Sequence, residues 1–220
     1  KEQPYHQATT VLLAATELQL NKTQQAEQRL NTMLNRKYYR PAVDLLLRHY
    51  LTTNALTDAR YLLQRALRQE FLDKELLFQE VDVLLALNET AQAEDKIKLI
   101  QSLPELSSGH WLQLGKIQQR LGHPQLALQN LATAIQLSPD QPVYQYEYIA
   151  MLIANNKLTL AKEQLVALKG ESGQSADAYL LRAEYANQTG NSADAFAAFQ
   201  TSISKDPLFN RAWAGLYELA

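Results

Sequence analysis

The 220-residue chain contains no cysteine, and glycine and proline occur only seven times each. Without cysteine, disulfides, thiolate metal sites and cysteine nucleophiles are excluded. The scarcity of glycine and proline leaves room for few, short turns, which favours helices over a fold rich in hairpins. The sequence therefore predicts an all-α protein.

Neither sign of charge is in large excess, and no long apolar segment is present. Lys and Arg number 21 against 23 Asp and Glu, for a net charge of −2. This balance does not favour nucleic acid or an anionic membrane as a partner, because both require a concentrated basic surface. No apolar run reaches the roughly 18–20 residues of a membrane span, so we expect no transmembrane segment. The chain begins at Lys1, and we interpret it as a processed or trimmed piece of a longer protein.

What the chain does have is a repeat of 34 residues, marked by two sets of small or turn-forming residues. The first set is a series of alanines at this spacing: Ala59, Ala93, Ala127, Ala161 and Ala195. The second set holds a turn residue five positions before each alanine: Asn54, Asn88, Gly122, Asn156 and Gly190. A first copy, one residue shorter, contributes Asn21 and Ala26. Repeats of this length are typical of helical arrays.

The copy that begins near Trp111 shows the pattern most fully. Trp111, Leu114 and Gly115 are followed by Ala127 and the closing Pro139. This pattern resembles the tetratricopeptide repeat family, Trp-x2-Leu-Gly-x2-Tyr, Ala-x3-Phe, Pro, although Gln and Leu replace its Tyr and Phe. The resemblance covers nearly the whole chain and implies a right-handed superhelical α-solenoid of antiparallel helix pairs.

The repeat grid predicts a single solenoid over residues 1–220, with at least twelve helices. The predicted copies are 7–39, 40–73, 74–107, 108–141, 142–175 and 176–209, and residues 210–220 form the first helix of a seventh copy or a cap. Turns are expected at 54–57, 88–90, 122–123, 155–158 and 190–192. The segment 169–175 looks like a looser connection than the others, and we expect higher mobility there.

Each special residue has a physical reason within this pattern. Gly122 supplies a left-handed turn after the first helix of its copy, and Pro124 occupies the first position of the next helix. Gly115 and Ala127 are small because the two helices must approach closely. Trp111 and Trp213, three periods apart, are expected to fill space between copies.

No residue pattern in the chain indicates catalysis, a cofactor or a metal. The four histidines are dispersed along the chain, without a metal-binding spacing, and no phosphate-binding or nucleophile motif is present. We therefore expect a protein that is not an enzyme. The stretch from Arg36 to Arg40, "RKYYR", has two readings: an anion or nucleic-acid patch, or a packed junction between the first two copies, which we favour.

The resemblance implies that partners bind a groove lined mainly by the first helix of each copy, at positions two, five, nine, twelve and thirteen. The candidate groove residues are Asp44, Arg48, Phe78, Asp82, Leu112, Lys116, Gln119, Arg120, Tyr146, Glu184 and Asn187. We expect the aromatic and apolar members, Phe78, Leu112 and Tyr146, to anchor a peptide segment or helix. Arg48, Lys116 and Arg120 would select for carboxylates of the partner.

The resulting functional hypothesis is a non-catalytic scaffold that binds a protein segment in its concave groove. The composition is similar to that of repeat modules in bacterial envelope machines for pilus biogenesis or polysaccharide export, which favours a periplasmic over a cytoplasmic location. Two alternatives stay open: a regulatory or substrate-recruiting domain of a larger enzyme, and a groove that binds polysaccharide or nucleic acid.

The C-terminal end carries a separate expectation. Residues 210–220 should pack on the preceding helix and leave an outer face that includes Leu219 and Tyr217 exposed. Exposed apolar surface at the end of an array is normally covered. We therefore expect either that the protein continues past Ala220 or that this end meets another molecule.

Overall fold

The structure is a computed structural model that describes residues 4–219. Fourteen α-helices and no strand occur in this range, so the expected all-α fold with at least twelve helices is confirmed. The helices form two compact units, one ending at Pro104 and the other beginning at Glu105. The single solenoid over the whole chain stays a prediction.

The first unit consists of three helix pairs whose members are joined by short turns. Its helices are α1 (Pro4–Gln19), α2 (Thr23–Arg36), α3 (Arg40–Thr52), α4 (Leu56–Leu67), α5 (Lys74–Ala86) and α6 (Thr90–Ser102). Within each pair we call the first helix A and the second helix B. The bounds of the three predicted copies in this part of the chain stay a prediction.

The second unit consists of three further pairs, one short helix and a terminal helix. Its helices are α7 (Ser108–Arg120), α8 (Pro124–Leu137), α9 (Pro142–Ala154), α10 (Leu158–Ala167), α11 (Gly170–Gly173), α12 (Ala176–Gln188), α13 (Ser192–Lys205) and α14 (Asn210–Leu219). Pro124 is the first residue of α8, as predicted, and Pro139 follows shortly after this helix ends.

The same turn joins helix A to helix B in all six pairs. Each turn residue of the repeat grid has a positive φ, between 55° and 78°: Asn21, Asn54, Asn88, Gly122, Asn156 and Gly190. The next backbone N–H donates to the carbonyl five residues earlier, as from Ala55 to Tyr50 at 2.8 Å and from His123 to Gln118 at 2.9 Å. Of the two hydrogen bonds of a Schellman cap, this is the one that spans five residues, and the left-handed backbone of the turn residue makes it possible. The predicted turns are therefore confirmed.

The paired helices cross at the alanines of the grid. All six alanines, Ala26, Ala59, Ala93, Ala127, Ala161 and Ala195, are 0% exposed. In the α7–α8 pair, a Cβ added to Gly115 would lie 3.1 Å from Cγ of Leu131 and 3.2 Å from the carbonyl oxygen of Ala127. The helices are thus close enough to require small residues, as predicted.

The fifth copy is the least regular, and its irregularity lies where the sequence predicts it. Helix α10 has only 10 residues, and the four-residue helix α11 follows it. Gly173 is buried, and a Cβ there would lie 2.6 Å from the carbonyl oxygen of Leu168. The connection is therefore packed against the fold, and its higher mobility stays a prediction.

Helix α14 forms where the seventh copy is expected and packs against α13, but two of its residues were predicted wrongly. Leu219 faces inward and packs with Leu216 against the α12–α13 core, so it is not on the outer face. Trp213 is 50% exposed, and its indole Nε1 donates to the carbonyl oxygen of Pro207 at 3.0 Å, so it is not a core residue. The prediction for Tyr217 is correct, since this side chain is 86% exposed.

Replacing Ala127 by leucine should destabilise the protein by about 1–3 kcal/mol, because the larger side chain overpacks the close crossing of α7 and α8. Urea unfolding followed by circular dichroism measures this change. Gln129→Leu, on an exposed position of the same helix, is the matched control and should leave the stability nearly unchanged. An Ala127→Leu variant as stable as the parent would show that this crossing tolerates added volume.

Candidate functional site

The candidate groove residues all lie on A helices. Asp44 and Arg48 belong to α3, while Phe78 and Asp82 belong to α5. In the second unit, α7 carries Leu112, Lys116, Gln119 and Arg120, α9 carries Tyr146, and α12 carries Glu184 and Asn187.

In the first unit, α3 and α5 form the walls of an open cleft of about 610 Å³. Its lining consists of Arg40, Asp44, Leu47, Arg48, Leu51, Thr52, Glu75 and Gln79. The structure thus brings Asp44 and Arg48 together, as the sequence predicts. Leu51, Thr52 and Glu75 were missed, although they occupy positions twelve, thirteen and two of their copies, which the resemblance also assigns to the groove.

Two aspartates hold one cation at the edge of this cleft. The Nε of Arg40 lies 2.7 Å from Oδ1 of Asp44, and a second guanidinium nitrogen contacts Asp73, the N-cap of α5. Burial opposes the charge of Arg40, but the hydrogen bond and the charges of the two aspartates outweigh this and raise the pKa of the guanidinium. Asp44 is therefore engaged within the fold, and Arg40 joins α3 to the N-terminus of α5.

Arg48 differs from Arg40 because its charge is open to solvent. The side chain is exposed, and no carboxylate among residues 4–219 pairs with it. Leu51, one turn later on the same helix, is 44% exposed. The cleft therefore presents a cation next to an apolar side chain, and an extended segment with a carboxylate and an apolar residue would satisfy both.

Phe78 is wrong as a groove anchor. Its side chain is only 2% exposed, so it belongs to the core of the first unit. Asp82, one turn later on α5, is half-buried. Of the two residues predicted on this helix, only Asp82 reaches the surface.

In the second unit, most of the predicted polar groove residues already contact neighbouring copies. The Nζ of Lys116 lies 2.6 Å from Oε1 of Glu147, and the amide of Asn155 donates to Oε1 of Gln119 at 3.0 Å. The role predicted for Lys116, selecting a partner's carboxylates, is therefore weakened, because a carboxylate of this chain already neutralises its charge.

The predicted anchors of the second unit are only partly available. Leu112 is half-buried against the core. The hydroxyl of Tyr146 donates to the carbonyl oxygen of Ser172 at 2.7 Å and lies 2.9 Å from Oγ of Ser175. Arg120 and Asn187 are exposed. Tyr146 also contributes to a cleft of only about 60 Å³ between α9 and α12, which is too small for more than a side-chain tip.

The "RKYYR" stretch forms a junction, in agreement with the favoured reading. Tyr38 is partly buried, and burial raises the pKa of its phenol. Arg40 is bound by two aspartates, as described above, whereas Arg36 and Lys37 are exposed at the edge of a cleft of about 480 Å³ between α1 and α2.

Neither a metal site nor a membrane-spanning helix emerges from the geometry. Among residues 4–219, no three acidic, histidine or cysteine side chains come together as metal ligands. No helix in this range combines the length and the apolar character needed to cross a bilayer.

Glu184 is the predicted site residue with the most unusual environment. It is half-buried on α12, and its Oε1 lies 3.1 Å from a guanidinium nitrogen of Arg211. Burial raises the pKa of this carboxyl, and the nearby Arg211 only partly opposes the shift. Because an acid with a raised pKa prefers its neutral form in the fold, the ionised carboxylate reduces stability at neutral pH.

The Glu184→Gln variant tests this environment. As the pH rises from about 4 to about 7, the free energy of unfolding of the parent should fall relative to that of the variant. The reason is that the folded state binds the proton of Glu184 more tightly than the unfolded state does. Urea unfolding of both proteins at the two pH values measures the difference. Glu218→Gln, on an exposed glutamate, is the control. A difference that shifts in favour of the parent as the pH rises would contradict the raised pKa.

The comparisons with known proteins bear on the fold. No protein-family model matches the chain, and no curated protein sequence matches it. Among solved structures, a tetratricopeptide repeat protein from Parabacteroides merdae is 16% identical, with a TM-score of 0.66, covering 99% of this chain and 86% of that one. PilW, a type IV pilus biogenesis factor, is 17% identical with a TM-score of 0.66, over 95% of this chain and 97% of its own.

YrrB, a tetratricopeptide repeat protein with an unusual peptide-binding site, is also similar, with 17% identity and a TM-score of 0.55. The match covers 84% of this chain and 96% of YrrB. At sequence identities this low, the structural matches show a shared fold and nothing further. The helix pairs, the left-handed turns and these similarities together give the chain the tetratricopeptide-repeat fold, as the sequence pattern indicates.

Proposed function

We propose that this chain, as a tetratricopeptide-repeat fold, is a non-catalytic protein-interaction module whose A helices bind a segment of another protein. The similarity to YrrB, which has a peptide-binding site, and to PilW, which acts in pilus biogenesis, supports this class of function. The more specific part of the proposal is a place in a bacterial envelope assembly, on the periplasmic side.

The cleft between α3 and α5 is the proposed contact site, and exposed Arg48 is the observation that carries it. Its guanidinium is exposed and has no carboxylate partner among the described residues, whereas Arg40 and Lys116 are paired. Leaving Arg48 unpaired costs nothing in water, and a partner's carboxylate would form a charge-assisted hydrogen bond with it. The exposed part of Leu51 adds an apolar contact on the same side.

The chemistry of the cleft indicates the kind of segment that fits. Two helices with an open cleft of about 610 Å³ accommodate a few residues of extended chain. Glu75 also lines the cleft and is exposed, so the charges of the two walls are opposite in sign. A bound segment should therefore place its carboxylate toward Arg48 and an apolar side chain toward Leu51, with a polar or basic residue toward α5.

Charge reversal at Arg48 tests this proposal. Short random peptides displayed on phage can be selected on the immobilised chain, and the affinity of selected peptides can be measured by fluorescence anisotropy. Arg48→Glu should weaken binding by about tenfold to a hundredfold, because it removes a charge-assisted contact and adds repulsion. Circular dichroism should show an unchanged fold, since the side chain is exposed.

Arg68→Glu provides the matched control, because it reverses an exposed arginine at the end of a B helix. This variant should bind the selected peptides as the parent does. If the Arg48→Glu variant binds as tightly as the parent, or if Arg68→Glu weakens binding equally, the α3–α5 cleft is not the contact site.

A further inference from the structure

A small cavity lies at the junction between the first two helix pairs, where α2 and α4 both end. Its volume is about 130 Å³, and part of its lining is apolar. The polar lining residues are Asn35, Arg36, Lys37, Tyr38, Arg65 and Gln69. Among the described lining residues, three carry a positive charge and none carries a negative one. The cavity therefore gathers three cations of the first unit around one small space.

Arg65 is held in place by neutral groups rather than by a carboxylate. One terminal nitrogen of its guanidinium donates to Oδ1 of Asn35 at 3.0 Å, and the other donates to Oδ1 of Asn31 at 3.4 Å. The side chain is half-buried, so water screens its charge only in part. Because both acceptors are neutral amides, they orient the guanidinium but leave its positive charge unbalanced.

Arg36 and Lys37 add two more cations to the same cavity. They are the last residue of α2 and its C-cap, and both side chains are exposed. No carboxylate among residues 4–219 pairs with Arg36, Lys37 or Arg65. Arg40, the remaining cation of the "RKYYR" stretch, differs because two aspartates bind it. The cavity thus contains the part of this stretch whose charge the fold does not use.

The helix ends offset only part of this positive charge. Both α2 and α4 end at the cavity, and each helix C-terminus carries about half an elementary negative charge. Two helix ends balance about one of the three positive charges, so about two remain. Like charges around a small space repel one another, and a bound anion with about two negative charges would remove this repulsion.

The repeat does not require a cation at the position of Arg65. In steps of 34 residues after Arg65, the chain has Leu99, Thr133, Ala167 and Thr201. The later copies therefore place an apolar or hydroxyl side chain where the second copy has a guanidinium. The positive charge is specific to the junction of the first two pairs, and packing of the array does not explain it.

We propose that this cavity binds a phosphate group, either as inorganic phosphate or at the end of a small phosphorylated molecule. A phosphate monoester carries about 1.5 to 2 negative charges at pH 7, which matches the charge left at the cavity. Its oxygens accept hydrogen bonds from several directions, as two guanidinium groups and one ammonium group require, whereas a carboxylate offers only two oxygens.

The size of the cavity limits the ligand to the charged group itself. A volume of about 130 Å³ is well below the roughly 300–1,000 Å³ of sites for drug-sized ligands. The site is also separate from the α3–α5 cleft, so the proposal does not depend on peptide binding there.

Isothermal titration calorimetry of the whole chain with inorganic phosphate tests the site, at constant ionic strength and in a buffer without other oxyanions. The parent should show saturable binding of one phosphate per chain. Arg65→Gln should weaken this binding by about tenfold or more, because it removes the most buried of the three cations. Lys37→Gln changes an exposed side chain, so it should weaken binding while circular dichroism shows an unchanged fold.

Arg68→Gln is the matched control, because it removes an exposed arginine one turn after Arg65, outside the cavity lining. This variant should bind phosphate as the parent does. Glycerol 3-phosphate distinguishes the two sources: binding at least as tight as that of inorganic phosphate indicates a phosphate monoester, and weaker binding indicates free phosphate. The proposal is overturned if the parent shows no saturable binding, if Arg65→Gln or Lys37→Gln leaves binding unchanged, or if Arg68→Gln weakens it as much as Arg65→Gln.

Discussion

The close crossing of each helix pair at an alanine is the constraint on which the rest of the fold depends. All six alanines are fully buried, and in the α7–α8 pair the backbones approach so closely that even a methyl group at Gly115 would lie 3.1–3.2 Å from its neighbours. The approach determines which faces of the two helices are buried, and so which faces remain for the surface. The exposed residues of the α3–α5 cleft are one consequence of this arrangement, because they lie on faces that the crossings leave open.

Charge pairing between copies adds a second level of organisation. Lys116 with Glu147 and Arg211 with Glu184 each connect one copy to the next, and Arg40 with Asp73 connects α3 to the start of α5. Exposed pairs of this kind contribute little to stability individually, and their main effect is to fix the side chains in place. Two of these pairs engage Lys116 and Glu184, which the family resemblance would assign to binding. Arg48 stands out because it lies outside this pairing.

The fold was predictable in detail, and the site only in part, for a physical reason. The turns and crossings depend on single residues with unusual requirements, such as the left-handed Asn54 and the fully buried Ala127, and these are visible in a sequence. Position five of helix A lies at the boundary between core and groove, where the side chain itself decides the outcome. Asp44 stays half-exposed there, whereas the large apolar ring of Phe78 gains more from burial. Whether Lys116 pairs with Glu147, or Arg40 with Asp73, depends on side-chain directions in the folded chain. Residue spacing in the sequence does not reveal these directions.

The six identical Schellman turns also bear on how the chain acquires its structure. Each one closes a helical hairpin from residues that are near neighbours in sequence, so little loop entropy is lost before its first contacts form. Low contact order of this kind is associated with fast folding, and neighbouring hairpins can then add to any one that has formed. The shortened α10 interrupts this regularity. Helix α10 is the shortest helix B of the six, so the fifth hairpin has the shortest helix to build on its turn.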